Sequence, residues 1–447
     1  MLNLLLLNML KDDTEEKVQE VFDSLKSLQS EGKGGNFSEL GTVEPFLLLC
    51  LLKKKTDSTE DGGDAYERIR FELHKNDTGS SSDPVLRIRG KDAAEVLGPL
   101  SEHFVTSLSV FDAIAEDRGN YHTGVTLKGL DLERDGSAVF EKALRLSYRE
   151  AFGDERSVNP TVCEIAERIL DTHSGDTFLD FLSGTCLSTS VITGRRNGVK
   201  TILNDRDRFC TEYAEIFRIL SGHDVTVLSE DAFGKDFLSG TTADRIFVSP
   251  VFGSKLSTPY ISDGMTLREA SGAAVMKALD MLSEKGVAVV SLLSTFAFGS
   301  QSDFPDIRKY LVKGRHVSSV ILLPSLSRRT SVPTLLLVIT KKENEDILMV
   351  DSTENSAAFY YEKKYGTPAL RKEAVDELSS VLRTRSGKGS TTVPYEAVEE
   401  RECSLLPSLY IEKEEKAASR TLGEIESDIH DALLDIETII GSLSENS

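Results

Sequence analysis

At 447 residues, the chain is long enough for two or three domains with ample core. Its 39% hydrophobic and 28% charged content is that of a soluble globular protein. Lys and Arg number 52 against 73 Asp and Glu, and the net charge of −21 argues against a broad basic face that grips nucleic acid unaided. A local basic cleft, or a partner bringing positive charge, stays compatible with it. Five scattered cysteines (Cys50, Cys163, Cys186, Cys210, Cys403) lack C-x-x-C spacing, and the histidines lack metal-ligand spacing. That pattern predicts a reducing, cytoplasmic setting without structural zinc or any other metal site.

Residues 1–150 read as a mainly helical N-terminal domain with a small hairpin. The opening MLNLLLLNML has no basic n-region and no small-residue cleavage site, so it is not read as a signal peptide. Val18, Val21, Phe22, Leu25 and Leu28 recur at helical spacing. PFLLLCLLKKK at 45–55 is too short to span a bilayer and predicts a buried helix ending on cations. ERIRFEL and VLRIR alternate charge with apolar side chains on either side of NDTGSSSDP, which predicts a half-exposed hairpin.

Residues 151–345 change to strand–helix alternation. Asn159-Pro160 makes a cap and first turn for a helix striped with Val162, Ile165, Ala166, Ile169 and Leu170. Seven strands follow: TFLDFL, KTILND, DVTVLS, DRIFVS, VAVVSLL, SSVILL and TLLLVIT. TEYAEIFRIL and EASGAAVMKALDMLSEKG are the clearest helices between them. The predicted fold is α/β, a doubly wound, mostly parallel, seven-stranded Rossmann-like sheet covered on both faces. Its last strand is antiparallel, because PSLSRRTSVP is too short for a helical crossover. Residues 346–447 form a C-terminal extension ending in TLGEIESDIHDALLDIETIIGSLSENS. There Leu422, Ile429, Ile436 and Leu443 fall seven apart behind a Thr421/Glu424 capping box, a coiled-coil-like helix of three heptads.

The chemistry-bearing residues cluster at strand ends. The first strand ends in Asp180 and runs into Ser183-Gly184-Thr185-Cys186, a small-residue loop that can bring backbone N–H groups to a ligand. The second ends in Asp205, placed to accept both hydroxyls of a ribose. The third leads to Asp231, an acceptor for an adenine amino group, and to Phe233, which lines the same pocket. Each is ordinary alone, but three acids on successive parallel strands converge on the carboxyl edge of one sheet, where such folds bind ligands. The fourth strand delivers Ser249-Pro250-Val251-Phe252 to that edge. There the Ser249 hydroxyl and the Pro250 carbonyl can accept hydrogen bonds from an exocyclic amine, and Phe252 can stack on an extruded base.

From about 140 to 350 the chain resembles the modification subunits of type I restriction–modification systems, S-adenosylmethionine-dependent DNA adenine methyltransferases. FLDFLSGTC stands where that family has D-P-A-C-G-T-G, and SPVFG stands at N-P-P-F-G. Asn159-Pro160 takes the place of its T-P helix start, and SLLPSLYI is similar to its segment before the terminal helix. The resemblance implies that Asn159, Pro160, Asp180, Ser183, Gly184, Thr185, Cys186, Asp205, Asp231 and Phe233 bind S-adenosylmethionine. It implies that Ser249, Pro250 and Phe252 hold the target amine, and that DNA is met through a complex with specificity and restriction subunits. Ser249 replaces an Asn, Val251 a Pro and Cys186 a Gly of the family pattern, and Phe181 and Leu182 replace Pro and Ala. A non-catalytic paralogue serving as a cofactor-binding or interaction subunit is the alternative that these changes raise. A nicotinamide-dependent dehydrogenase is disfavoured by the single glycine of the loop.

Overall fold

The computed structural model describes residues 13–23, 25–26, 42–57, 72–75, 82–85, 129–148, 156–300, 303–327, 330–353, 361–364 and 367–412. Met1–Tyr410 form one compact unit and Ile411–Ser447 a second. The predicted C-terminal heptad helix and the opening apolar stretch lie outside the described residues. No described helix is long and apolar enough to cross a membrane.

Helix α1 (13–23) buries Val18, Val21 and Phe22. Helix α2 (Val43–Asp57) is buried from Val43 to Leu52 and carries cations at its end. There Lys54 Nζ donates to the Leu220 carbonyl at 2.9 Å and the Leu132 carbonyl at 3.2 Å. The hairpin is present as antiparallel β1 (Glu72–Lys75) and β2 (Ser82–Val85), closer to its turn than the alternating stretches suggested. Helix α3 (Leu132–Ser147) is capped by Asp131, and α4 (Pro160–Leu170) by Asn159, whose Oδ1 accepts from the Thr161 N–H.

The seven strands read from the sequence are all present: β3 (Thr177–Asp180), β4 (Lys200–Asn204), β5 (Val225–Leu228), β6 (Ala243–Val248), β9 (Leu282–Leu293), β10 (Val317–Leu323) and β11 (Thr334–Thr340). A separate hairpin, β7 (Lys255–Ser262) and β8 (Met265–Glu269), precedes β9. Two additional strands, β12 (Asp346–Asp351) and β15 (Ser390–Pro394), widen the sheet to nine, in the order β15-β12-β10-β11-β9-β6-β3-β4-β5. Strand β11 lies antiparallel between β9 and β10, as the short connection requires. A third hairpin pairs β13 (Tyr361–Lys364) with β14 (Thr367–Leu370).

The helices after the first four are α5 (Leu187–Thr193), α6 (Arg208–Ser221), α7 (Ala270–Met281), α8 (Thr295–Phe298), α9 (Phe304–Lys313), α10 (Lys372–Thr384) and α11 (Tyr395–Glu399). Successive side chains of a strand face opposite ways. Ile246 and Val248 therefore join the core under α7 and α9, while Phe247 joins that under α4 and α10. Burial on both faces is why these strands read as unbroken apolar runs. Helices α1, α2 and α3 share a core with α5 and α6 through Phe140, Phe217 and Tyr213. The predicted helix over 269–286 stops at Met281, where Leu282 enters β9 beside Ala243.

Close approach of α3 to α6 depends on Gly136, where a Cβ would collide with the Leu220 carbonyl oxygen. Gly136→Ala is expected to destabilise the protein by about 1–3 kcal/mol despite alanine's better helix propensity. Urea unfolding checks it, and a neutral or stabilising result contradicts the packing described.

Candidate active site

Strand β3 sits between β4 and β6, and the chain leaves it toward β4 and β5 before returning to β6. Connections therefore diverge at its carboxyl end and open a crevice there. A cavity of about 640 Å³ occupies this place, within the size range of small-molecule sites. Arg156, Gly184, Asp205, Asp231, Phe233 and Ser249 are among its lining residues.

The β3–α5 loop approaches the cavity mainly through backbone. Asp180 is fully buried beneath it, accepting from the Ser188 hydroxyl at 2.9 Å and the Leu182 N–H at 3.3 Å. Burial pushes its carboxyl up to about 7, against these hydrogen bonds and with a small contribution from Asp205. Ser183, Thr185 and Cys186 are also buried, so of the loop residues expected to meet a ligand, Gly184 alone lines the cavity. Gly184 holds φ +51°, and a Cβ there would collide with the Arg156 carbonyl oxygen. Cys186 adopts φ +64° with its thiol facing the Gly184 carbonyl at 3.8 Å. Neither Cys186 nor the buried Phe181 plugs the hollow.

Asp205 follows β4 and stays mostly buried at the cavity wall. Its Oδ2 accepts from the Gly184 N–H at 3.0 Å and its Oδ1 from the Asp207 N–H at 2.8 Å, leaving a further lone pair on each oxygen. Burial raises its pKa, and those two backbone donors oppose the rise. Asn204, which the sequence reading passed over, ties three strand ends together. Its Nδ2 donates to the Phe181 and Glu230 carbonyls at 3.1 Å each, and its Oδ1 accepts from the Glu230 N–H at 2.9 Å. Asp231 is exposed, accepting from the Phe233 N–H at 3.1 Å. Phe233 stands edge-on to Phe181 and Tyr260.

Tyr260 belongs to the β7–β8 hairpin, whose first residues, Lys255 to Thr258, form the facing wall. The sequence carried a signal for it. Asp263-Gly264 is a dipeptide of tight hairpin turns, and both residues have positive φ, 46° and 76°. The hairpin is anchored to α7 by Asp280, which accepts from Tyr260 at 2.6 Å and Ser262 at 2.9 Å.

Ser249 lies where the main cavity meets a smaller cleft of about 30 Å³. Pro250 is buried, and Val251, 42% exposed, faces the main cavity. Phe252 turns into the cleft instead, beside Asn159 and Ser291. Asn159 is thus occupied as a helix cap and as a donor to the Leu326 carbonyl at 3.0 Å, and Pro160 fills the first turn, both outside the main cavity. Arg195 pairs with Glu141 at 3.5 Å and Arg196 with Glu167 at 2.9 Å, so both cations are engaged within the chain.

Residues 205–419 match the family model of N-6 DNA Methylase. No curated protein matches the chain by sequence. Among solved structures, the type I restriction-modification system methyltransferase subunit from Streptococcus thermophilus aligns with TM-score 0.65 at 15% identity, over 89% of this chain and 100% of that one. A chain of a type I R-M system, solved for its complex assembly and conformational transition, aligns with TM-score 0.57 at 14% identity, over 90% of this chain and 93% of that one. These likenesses establish the Rossmann-like methyltransferase fold, and the family match agrees with the family that the sequence motifs resemble.

Proposed function

From the N-6 DNA Methylase family to which residues 205–419 match, we propose that this chain is the modification subunit of a type I restriction–modification complex, an S-adenosylmethionine-dependent DNA adenine methyltransferase. The observation that carries the reading is the opening of Asp205, Asp231, Phe233 and Ser249 onto one cavity at the carboxyl edge of the sheet. The residues fit the cofactor: Asp205 keeps acceptor capacity for ribose hydroxyls, Asp231 can accept from an adenine amine, and Phe233 gives that base an apolar edge.

Bound there, S-adenosylmethionine supplies a methyl group made electrophilic by its sulfonium. The protein's task is then to position the amine. Ser249 Oγ accepts an N–H of the amine, orienting its lone pair, and Phe252 in the adjoining cleft offers a ring to an extruded base, while Pro250, buried and lining neither space, fixes the turn between them. Asp180, buried under the loop, supports this wall and makes no direct contact. The chain works in the cytoplasm, where a specificity subunit holds the DNA and a restriction subunit completes the complex. The −21 charge supports that division, since an acidic subunit gains DNA affinity from a basic partner. Residues 1–150 and the C-terminal segment of the 346–447 extension serve assembly, and 151–345 catalysis.

Ser249→Ala is expected to lower methyl transfer in the assembled complex by about 10–100-fold while leaving the S-adenosylmethionine-induced thermal shift in place. Absence of any shift in the parent protein overturns the reading. The seat of Phe252 outside the main cavity favours a second reading, a cofactor-binding interaction subunit without catalysis. Binding without transfer in the parent, with transfer appearing in Ser249→Asn, selects that one.

A further inference from the structure

Arg156 stands just ahead of α4 at the cavity wall, held by three contacts. Its carbonyl accepts the Thr185 N–H at 2.7 Å, fixing its backbone against the Gly184 turn. Its Nε donates to Asp207 Oδ2 at 3.0 Å, and its guanidinium lies 4.6 Å from the centre of the Phe209 ring. Among the described residues Nη1 and Nη2 make no hydrogen bond, and the side chain is 48% exposed. The guanidinium is thus oriented along one edge while its two terminal nitrogens remain available.

The surrounding wall is acidic, carrying Asp205, Asp207, Glu230 and Asp231. A ligand's ammonium or sulfonium is compatible with such a wall, but a carboxylate needs a cation beside it. The loop cannot supply one. It holds no cation, and Ser183, Thr185 and Cys186 are buried along with Asp180. Of the other lining cations, Lys255 is on the opposite hairpin and Arg206 is on the β4–α6 connection, whereas Arg156 is tied by its own carbonyl to the Gly184–Thr185 turn. A guanidinium whose terminal nitrogens make no hydrogen bond among the described residues also matches a carboxylate in a way a lysine does not.

We propose that Arg156 binds the carboxylate at the methionine end of the cofactor, an assignment that rests on the S-adenosylmethionine reading above. It makes Arg156 a binding residue that sets which nucleoside sulfonium the site prefers. The test is titration calorimetry of the full chain with S-adenosylmethionine and with its decarboxylated form, which keeps the ammonium and loses the carboxylate. In the parent, S-adenosylmethionine should bind about 10–100-fold more tightly than the decarboxylated form. Arg156→Ala should remove most of that preference, with the decarboxylated ligand's affinity changed less than about 3-fold. Arg156→Lys should keep part of it. Asp207→Asn, which removes the carboxylate that orients the guanidinium and spares the guanidinium itself, should lower the preference by less than Arg156→Ala does. Equal loss for both ligands in Arg156→Ala would mean that the side chain only supports the wall, and an unchanged preference would mean that another group reads the carboxylate; either overturns the assignment. Failure of the parent to bind either ligand instead overturns the cofactor reading itself.

Discussion

Asp205→Ala is expected to weaken S-adenosylhomocysteine binding by at least about 100-fold and to destabilise the unliganded protein by about 1–3 kcal/mol. Two functions meet in this carboxylate. Toward the protein it accepts the Gly184 and Asp207 N–H groups, which positions the glycine turn and the start of α6. Toward the cavity its remaining lone pairs suit a pair of ribose hydroxyls. Alanine leaves two partly buried N–H donors without their acceptor as well as removing the ligand contact. Asp205→Asn is expected to be nearly as damaging, since one carboxylate oxygen becomes an NH₂ that must face a backbone donor. Calorimetry with S-adenosylhomocysteine and thermal unfolding without ligand separate the two effects. Binding within about 3-fold of the parent contradicts the assignment.

Asp180→Asn is expected to stabilise the protein progressively as pH rises. In the folded chain burial holds the Asp180 carboxyl up to about 7, while an unfolded aspartate ionises near 4. Between those values the unfolded chain releases a proton that the folded chain keeps. Each step up in pH across that window therefore lowers the stability of the parent. Asparagine does not ionise and escapes the loss, keeping the size of the side chain and an oxygen for the Leu182 N–H. The variant's advantage over the parent should grow by up to about 4 kcal/mol between pH 4 and pH 8 and then level off. Glu212, also held near 7 by burial, is common to both proteins and cancels in the difference. Urea unfolding at pH 5 and pH 8 makes the comparison. An advantage independent of pH would show that Asp180 is ionised throughout.

Much of the architecture was legible because the strands announce themselves. Apolar runs such as Val287–Leu293 and Leu335–Ile339 are buried on both faces, and β-branched residues bounded by polar turns carry that signal locally. The helix–strand junction at Met281–Leu282 was not legible, since MLSEKG suits a last helical turn equally well. Pairing of Leu282 with Ala243 decides it. The β7–β8 hairpin was legible through Asp263-Gly264 and was passed over amid the motifs on either side.

The site divides along the same line. The amino-acid sequence by itself determined which residues end each strand, because strand limits follow from local patterning, and so it set Asp180, Asp205, Asp231 and Ser249 on one edge of one sheet. The tertiary structure alone decided their exposure. Asp180 is the last residue of β3, in register with Leu203, and Asp205 lies just past the end of the neighbouring β4; Ser188 and the Leu182 turn close over the first, while the second opens to the cavity. Likewise the turn after Pro250 sends Val251 to the main cavity and Phe252 to the cleft beside Asn159. For a polar residue past a strand end, burial depends on what packs against it from distant parts of the chain, and the pattern of apolar residues carries no record of that.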